Sequence, residues 1–229
     1  MKLSVIVPVH NEEETIDEVI AQVLAVELDD GDLEVIVVDD ASTDSTPRKL
    51  AAYGDNPRVT VLTHERNRGK GGAIRTGLEK AAGDVTVIQD ADLEYDPSEL
   101  PGLVAPLVAG RADFVYGSRF RGTVENMRFE NRLANRILSL AATLLFFRRV
   151  TDEATCYKVF WTKDLRSFDL KCERFEFCPE VTAKALKRHM RLLEIPITYR
   201  ARTVEAGKKI RAFDGLEAIW TLLRYRFSG

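Results

Sequence analysis

The sequence predicts an α/β protein whose mainly parallel central sheet is covered by helices on both faces. Three observations predict it. Short apolar runs of strand length alternate with helix-length patterns through the first half of the chain, an order that builds a parallel sheet. Glycine, proline and cap residues punctuate the alternation. Polar clusters fall just after the strands, at Asn11, Asp39–Asp40, Lys70, Asp90–Asp92 and Arg119. In open α/β sheets ligands bind beyond the carboxyl ends of the strands.

Taken in order, Leu3–Val7 is the first strand, and Asn11 with Glu12, Glu13 and Glu14 opens a helix running to about Ala25. Acidic residues suit a helix N-terminus. Val35–Val38 is the second strand. Ser42–Ser45 supply helix caps, and Pro47 suits a first turn. Val59–Leu62 is the third strand. Asn67–Gly72 is a glycine-rich loop entering a helix that ends near Ala82. Val85–Ile88, the helix Leu100–Ala109 and the strand Phe114–Tyr116 complete the regular half. Beyond it the spacing predicts a helix over Arg132–Phe147, a strand over Thr155–Trp161, a helix over Cys178–His189 and a strand over Leu192–Ile197. A basic loop over Thr198–Arg211 leads to a terminal helix, Phe213–Phe227.

The 229 residues carry a formal net charge of −3, which argues against a nucleic-acid partner. Three cysteines without a C-x-x-C pair imply neither a disulfide framework nor a zinc site and favour a reducing, cytoplasmic setting. The N-terminus enters a strand too soon for a signal-peptide core, and no apolar run is long enough to span a membrane.

The chemistry concentrates at Asp90, Ala91 and Asp92, where two carboxylates one residue apart follow a buried strand. Such a pair can hold a hard cation, Mg2+ or Mn2+, which prefers oxygen ligands and usually carries substrate phosphates as well. A solvated acidic turn is the alternative. Lys70 at a helix N-terminus can face an anion, or it is a solvated lysine in a flexible turn. One of Asp39 and Asp40 can accept from ribose hydroxyls, or the pair serves only to cap a helix. His10 has no second histidine at ligand spacing, and His64 and His189 read as ordinary residues. Leu133, Ile137, Leu140, Leu144 and Phe147 recur at helical spacing between Arg128, Arg132, Arg136, Arg148 and Arg149. That pattern fits a helix lying in a membrane interface, one packed on the core, or one paired with a second subunit.

Five stretches carry a family resemblance: VPVHNEE at 7–13, VVDDASTD at 37–44, NRGKGGA at 67–73, QDADLE at 89–94 and GSRF at 117–120. They resemble the inverting family 2 glycosyltransferases with the GT-A fold. DEATCYKVF at 152–160, RFEFCPE at 174–180 and EAGKKI at 205–210 resemble the later motifs of the dolichyl- and polyprenyl-phosphate sugar transferases, the dolichol-phosphate mannose synthase group. The resemblance implies one GT-A domain over residues 1–229, with a Rossmann-like sheet and additional C-terminal helices. Residues 1–117 would bind the nucleotide sugar and 118–229 the acceptor. It implies Pro8, His10 and Glu12 at the base, Asp39 and Asp40 at the nucleoside, and Lys70, Asp90 and Ala91 beside the nucleotide sugar. Asp90, Asp92 and Glu94 would be the metal ligands. Arg119, Arg132, Arg202 and Lys208 would meet the acceptor phosphate, and Asp92, Asp152 and Arg119 would be the catalytic set. His10 stands where an aromatic such as Tyr is common, Cys156 where many members have Gly, and Cys178 where Glu is frequent.

The implied reaction is metal-dependent inverting transfer from a nucleoside diphosphate sugar, of the GDP-mannose or UDP-glucose type, to a polyprenyl or dolichyl phosphate. It would take place at the cytoplasmic face of a membrane, by a peripheral protein, with a second copy or a membrane protein as a further partner. A phosphate acceptor needs no strong base, so Asp152 would position or polarise. A soluble hydroxyl acceptor would need a base, and Asp152 is then the candidate. A non-catalytic nucleotide-sugar-binding subunit of a membrane complex is the reading from a different class.

Overall fold

In the computed structural model, which describes residues 1–29, 31–202 and 212–228, β1 (Lys2–Val9) is the strand around which the core is built. Leu3, Val5, Ile6 and Val7 are all fully buried, as expected of a strand covered on both faces. The chain continues through α1 (Ile16–Leu24), β2 (Asp32–Asp39), α2 (Thr46–Ala51), β3 (Val59–Thr63), α3 (Gly69–Lys80) and β4 (Val85–Ile88). A single 3-10 turn, Pro97–Glu99, leads into α4 (Leu100–Val108) and β5 (Phe114–Glu125). Then come α5 (Phe129–Phe146), β6 (Lys158–Trp161), α6 (Thr162–Ser167), α7 (Phe177–Lys187), β7 (Leu192–Arg200) and α8 (Ala212–Phe227).

The strands form one sheet in the order β3-β2-β1-β4-β6-β5-β7. β1 pairs parallel with β2 and β4, β2 with β3, and β5 with β7. β6 runs antiparallel to both of its neighbours, so the sheet is mainly, not wholly, parallel. α1 buries Ile16, Val19, Ile20 and Val23, the apolar stripe of an amphipathic helix. α3 lies close on β1 because Gly77 has no side chain: a Cβ there would stand 2.6 Å from Ile6.

Several boundaries depart from expectation for identifiable reasons. The first helix starts at Ile16, not Asn11. Asn11 is left-handed at φ 53°, and its Oδ1 accepts from Thr43 N. Glu13 likewise accepts from Ser45 N, so the acidic turn is stitched to the loop after β2 and does not form a first helical turn. β5 runs nine residues past Tyr116 because it pairs with β7 as far as Glu125 and Arg200, across an irregularity between Ser118 and Thr123. The start of the expected basic loop is therefore strand. Residues 203–211 of that loop, Lys208 among them, lie outside the described residues. α5 begins at Phe129, three residues earlier than Arg132.

Candidate active site

A cleft of about 780 Å³ opens beyond the carboxyl ends of β1, β2 and β4. Pro8, His10 and Glu12 line it after β1, Asp40 after β2, and Asp90, Ala91, Asp92 and Glu94 after β4. Arg119 comes from β5, Tyr199 from β7, and Arg202 from the residues that follow. Asn135 and Leu138 of α5, Cys178 of α7 and Ala218 of α8 close the far end.

The two aspartates each face a cation. Lys70 Nζ stands 2.5 Å from Asp90 Oδ1. Burial works against the charged amine, but the Asp90 carboxylate overrides it and holds the Lys70 pKa above the ordinary lysine range. Arg202 spans the acidic wall: Nη2 is 2.7 Å from Glu12 Oε2 and 3.8 Å from Asp92 Oδ2, while Nε donates to the main-chain oxygen of Asp92 at 2.9 Å. Both oxygens of Glu94 are engaged by protein groups. Its Oε2 accepts from the Tyr199 hydroxyl and its Oε1 from Arg202 N, so it ties β7 to the loop after β4. Among the described residues no three His, Cys, Asp or Glu groups form a metal-ligand set. Asp90 and Asp92 remain a two-carboxylate oxygen donor set, which fits Mg2+ or Mn2+, since these keep waters and take substrate phosphates as their other ligands.

The glycine-rich loop does something other than cradle a phosphate. Arg68 N and Gly69 N donate to the Asp40 carboxylate at 2.8 and 2.7 Å. Gly71 N and Gly72 N donate to the main-chain oxygens of Arg174 and Glu173, each at 2.9 Å. The first-turn amides that would meet an anion are thus taken by protein. The glycines are needed for this approach, because a Cβ on Gly69 or Gly71 would stand 2.4 Å or 2.9 Å from those same oxygens. The Lys70 side chain lines the cleft, with Asn67 and Arg68 beside it.

Asp40 is also held by His64, whose Nδ1 lies 2.7 Å away and whose Nε2 lies 2.9 Å from Thr76 Oγ1. Asp40 therefore fixes the 67–69 turn while lining the cleft, and His64 is a supporting residue with no short-range signal in the sequence. Asp39 is fully buried, with Oδ1 accepting from Ser42 N and Oδ2 without a partner. His10 Nδ1 donates to the main-chain oxygen of Asp40 at 3.0 Å, which orients its ring.

Arg119 and Asp152 form a buried fork. Asp152 Oδ2 accepts from Arg119 N and Nε, each at 2.8 Å, and Oδ1 from Nη2 at 2.7 Å. Asp152 is fully buried, does not line the cleft, and is not placed to act as a base; it orients Arg119. The Tyr199 ring lies under the guanidinium, 4.9 Å from Cζ to the centroid. Arg132 sits on the exposed side of α5, outside the cleft.

An acidic pair at the carboxyl edge of a Rossmann-like sheet, with cations beside it, can hold a divalent cation and, through it, phosphate oxygens. Residues 4–168 match the model of a family described as glycosyl transferase family 2. The chain belongs to that family. This family 2 chain is 29% identical to a dolichol-phosphate mannosyltransferase of Pyrococcus furiosus, over 98% of its own length and 64% of the relative's. It is 30% identical to a UDP-N-acetylglucosamine–dolichyl-phosphate N-acetylglucosaminyltransferase of Methanococcus voltae, over 95% of its length and 93% of the relative's. Among solved structures, it superposes on glucosyl-3-phosphoglycerate synthase of Mycobacterium tuberculosis, in complex with Mn2+, UDP and phosphoglyceric acid, with a TM-score of 0.75 at 24% identity. That likeness covers 99% of this chain and 78% of the other, and it places the fold in the GT-A class.

Proposed function

We propose that this family 2 chain transfers a sugar from a nucleoside diphosphate sugar to a polyprenyl phosphate, inverting the anomeric carbon. The observation that carries the reading is the course of the cleft. It begins at the Asp90–Asp92 pair, passes Arg119, and ends between α5 and α8. Among the described residues, these two helices and the α5 cap, Phe147, hold every exposed large apolar side chain except Val108. A phosphate on a long apolar chain would find its charge met at Arg119 and its chain led out between the two helices whose outer faces carry these apolar side chains. The lipid-phosphate acceptors named for the relatives support the same reading.

Asp90 and Asp92 would hold Mg2+ or Mn2+, which when bound offsets the charge developing on the leaving diphosphate. Lys70 and Arg202 add fixed positive charge on the two sides of that pair. Arg119 has spent Nε and Nη2 on Asp152, so Nη1 is left to bind phosphate oxygens in a pre-set plane. The acceptor phosphate is already ionised near pH 7, so its oxygen attacks without a strong base. The engagement of both Asp152 oxygens fits that chemistry and disfavours a hydroxyl acceptor that would use Asp152 as base.

The test is transfer of labelled sugar from a panel of GDP- and UDP-sugars, with Mg2+ or Mn2+, to a polyprenyl phosphate in detergent. Label entering the lipid phase is the expected result. Label staying in water with every donor overturns the reading.

The same course of the cleft supports a peripheral position at a membrane surface. Phe129, Leu133, Ile137, Leu140 and Leu144 form one exposed face of α5, with Leu216 and Trp220 on α8, and Arg128, Arg136, Arg224 and Arg226 around them. Apolar side chains ringed by arginine suit the interface of an anionic bilayer. Among the described residues no helix is long and apolar enough to cross one. Replacing Leu140 and Leu144 by Glu is expected to lower co-sedimentation with phosphatidylglycerol vesicles by about tenfold or more, given roughly 0.8 kcal/mol per buried methylene. Equal sedimentation of the variant, or a dimer of wild type that the variant dissolves, would assign this face to something other than lipid.

A further inference from the structure

Of the cleft-lining carboxylates among the described residues, Glu153 alone keeps a buried oxygen with no partner. Its surroundings are built, not accidental. Glu153 is fully buried, and its main-chain N–H donates to Ser139 Oγ of α5 at 3.0 Å. Lys158 Nζ donates to its main-chain oxygen at 2.7 Å and stands over the Tyr116 ring, 3.5 Å from the centroid. Thr182 Oγ1 lies 3.2 Å from Glu153 Oε1, 3.4 Å from Lys158 Nζ and 2.7 Å from the Tyr116 hydroxyl. An ammonium can only donate, and Thr182 has a single hydroxyl proton. That proton goes to Glu153 Oε1, so the whole cluster is satisfied except for Oε2.

A buried acceptor without a partner is costly and needs an explanation. A bound ligand supplies one, and the chemistry of the two substrates says which part. Phosphates are anions and belong with Arg119, Arg202 and Lys70. The polyprenyl chain has no polar hydrogen. The base and ribose belong at the Pro8 and His10 end of the cleft, beyond β1. The transferred sugar is the remaining part, and it carries hydroxyls. Burial raises the Glu153 pKa, with Lys158 opposing, and a hydroxyl serves either form because it both donates and accepts.

We propose that Glu153 Oε2 pairs with a hydroxyl of the transferred sugar and so selects donors that carry one there. The proposal rests on the transferase reading above. Sites built to hydrogen-bond a substrate hydroxyl reject analogues that lack it.

The test is calorimetric titration of the full chain with UDP, UDP-glucose, UDP-N-acetylglucosamine, GDP and GDP-mannose in the presence of Mg2+. For whichever sugar nucleotide wild type binds, Glu153→Ala is expected to lose about 10- to 100-fold in affinity. Its affinity for the matching nucleoside diphosphate should stay within about twofold, since that ligand lacks the sugar. Glu153→Gln keeps the shape and an oxygen for Thr182, and carries the test if the alanine variant does not fold. Its loss should be smaller and again confined to the sugar nucleotide. Equal losses for nucleotide and sugar nucleotide, or no loss, overturn the assignment while leaving the transferase reading intact. If wild type binds none of the five ligands, both readings fall together.

Discussion

Asp92→Ala is expected to lower sugar transfer into polyprenyl phosphate by about 10³-fold, the scale for removing a group aimed at charge that develops in the transition state. The carboxylate is half-buried, like that of Asp90. Among the described residues its Oδ1 accepts only from Glu94 N, at 3.2 Å, and its Oδ2 is 3.8 Å from Arg202, too long for a hydrogen bond. Unlike Asp90, which Lys70 holds tightly, Asp92 is free to take a cation without breaking a strong bond. The expected loss is mainly in kcat. Stability should move by no more than about 0.5 kcal/mol, because the side chain is partly exposed and supports no buried group. Steady-state kinetics alongside urea denaturation check both halves. Turnover within tenfold of wild type would remove Asp92 from the chemistry.

Asp152→Ala is expected to destabilise the protein by about 3–5 kcal/mol, the cost of stranding one partner of a buried ion pair. Arg119 is only 5% exposed and owes three of its hydrogen bonds to Asp152. Burial alone would lower the Arg119 pKa. The facing carboxylate overrides that and keeps the guanidinium charged. The pair also separates orientation from base catalysis. Changing both partners to apolar residues, Arg119→Met with Asp152→Leu, should recover most of the stability. It should still leave transfer impaired, because the phosphate-facing Nη1 is gone. In Asp152→Asn a residue acting as base would alter the pH profile of kcat. A residue that only orients Arg119 would raise acceptor KM and leave the profile in place.

What could be read from the chain divides by distance along it. Asp90 and Asp92 were legible because a strand end and its turn lie within a few residues of one another, and the alternation of strands and helices is equally local. Glu94 was not, since the hydroxyl that claims it belongs to Tyr199, 105 residues later. The glycines that open α3 read locally as a flexible turn carrying Lys70, yet the amides of Gly71 and Gly72 go to Arg174 and Glu173, a hundred positions on. Asp152 looked like a candidate base because nothing near it in sequence announces that Arg119 fills both of its oxygens. Glu153, its neighbour, falls in the DEATCYKVF stretch, but the resemblance implies no role for it. Its interest arises only when α7 brings Thr182 and β5 brings Tyr116 against it. Side chains that act through distant partners are invisible to periodicity and spacing.

The position of β6 has a consequence for how the protein is made. Among the described residues β5 pairs only with β6 and β7, and β6 is the strand that joins β5 to β4 in the sheet. A ribosome that has delivered residues 1–150 has released four parallel strands ending in a bare β4 edge, with β5 waiting unattached. The sheet becomes continuous only when Lys158–Trp161 slides between them. The carboxylates after β4 are synthesised early, but the strand that seals that edge, and the segment that caps α3, arrive late. Folding is therefore committed in the second half of synthesis, and an exposed strand edge is a hazard for premature association until then. Truncations ending before residue 158 should aggregate, not yield a free-standing nucleotide-binding half.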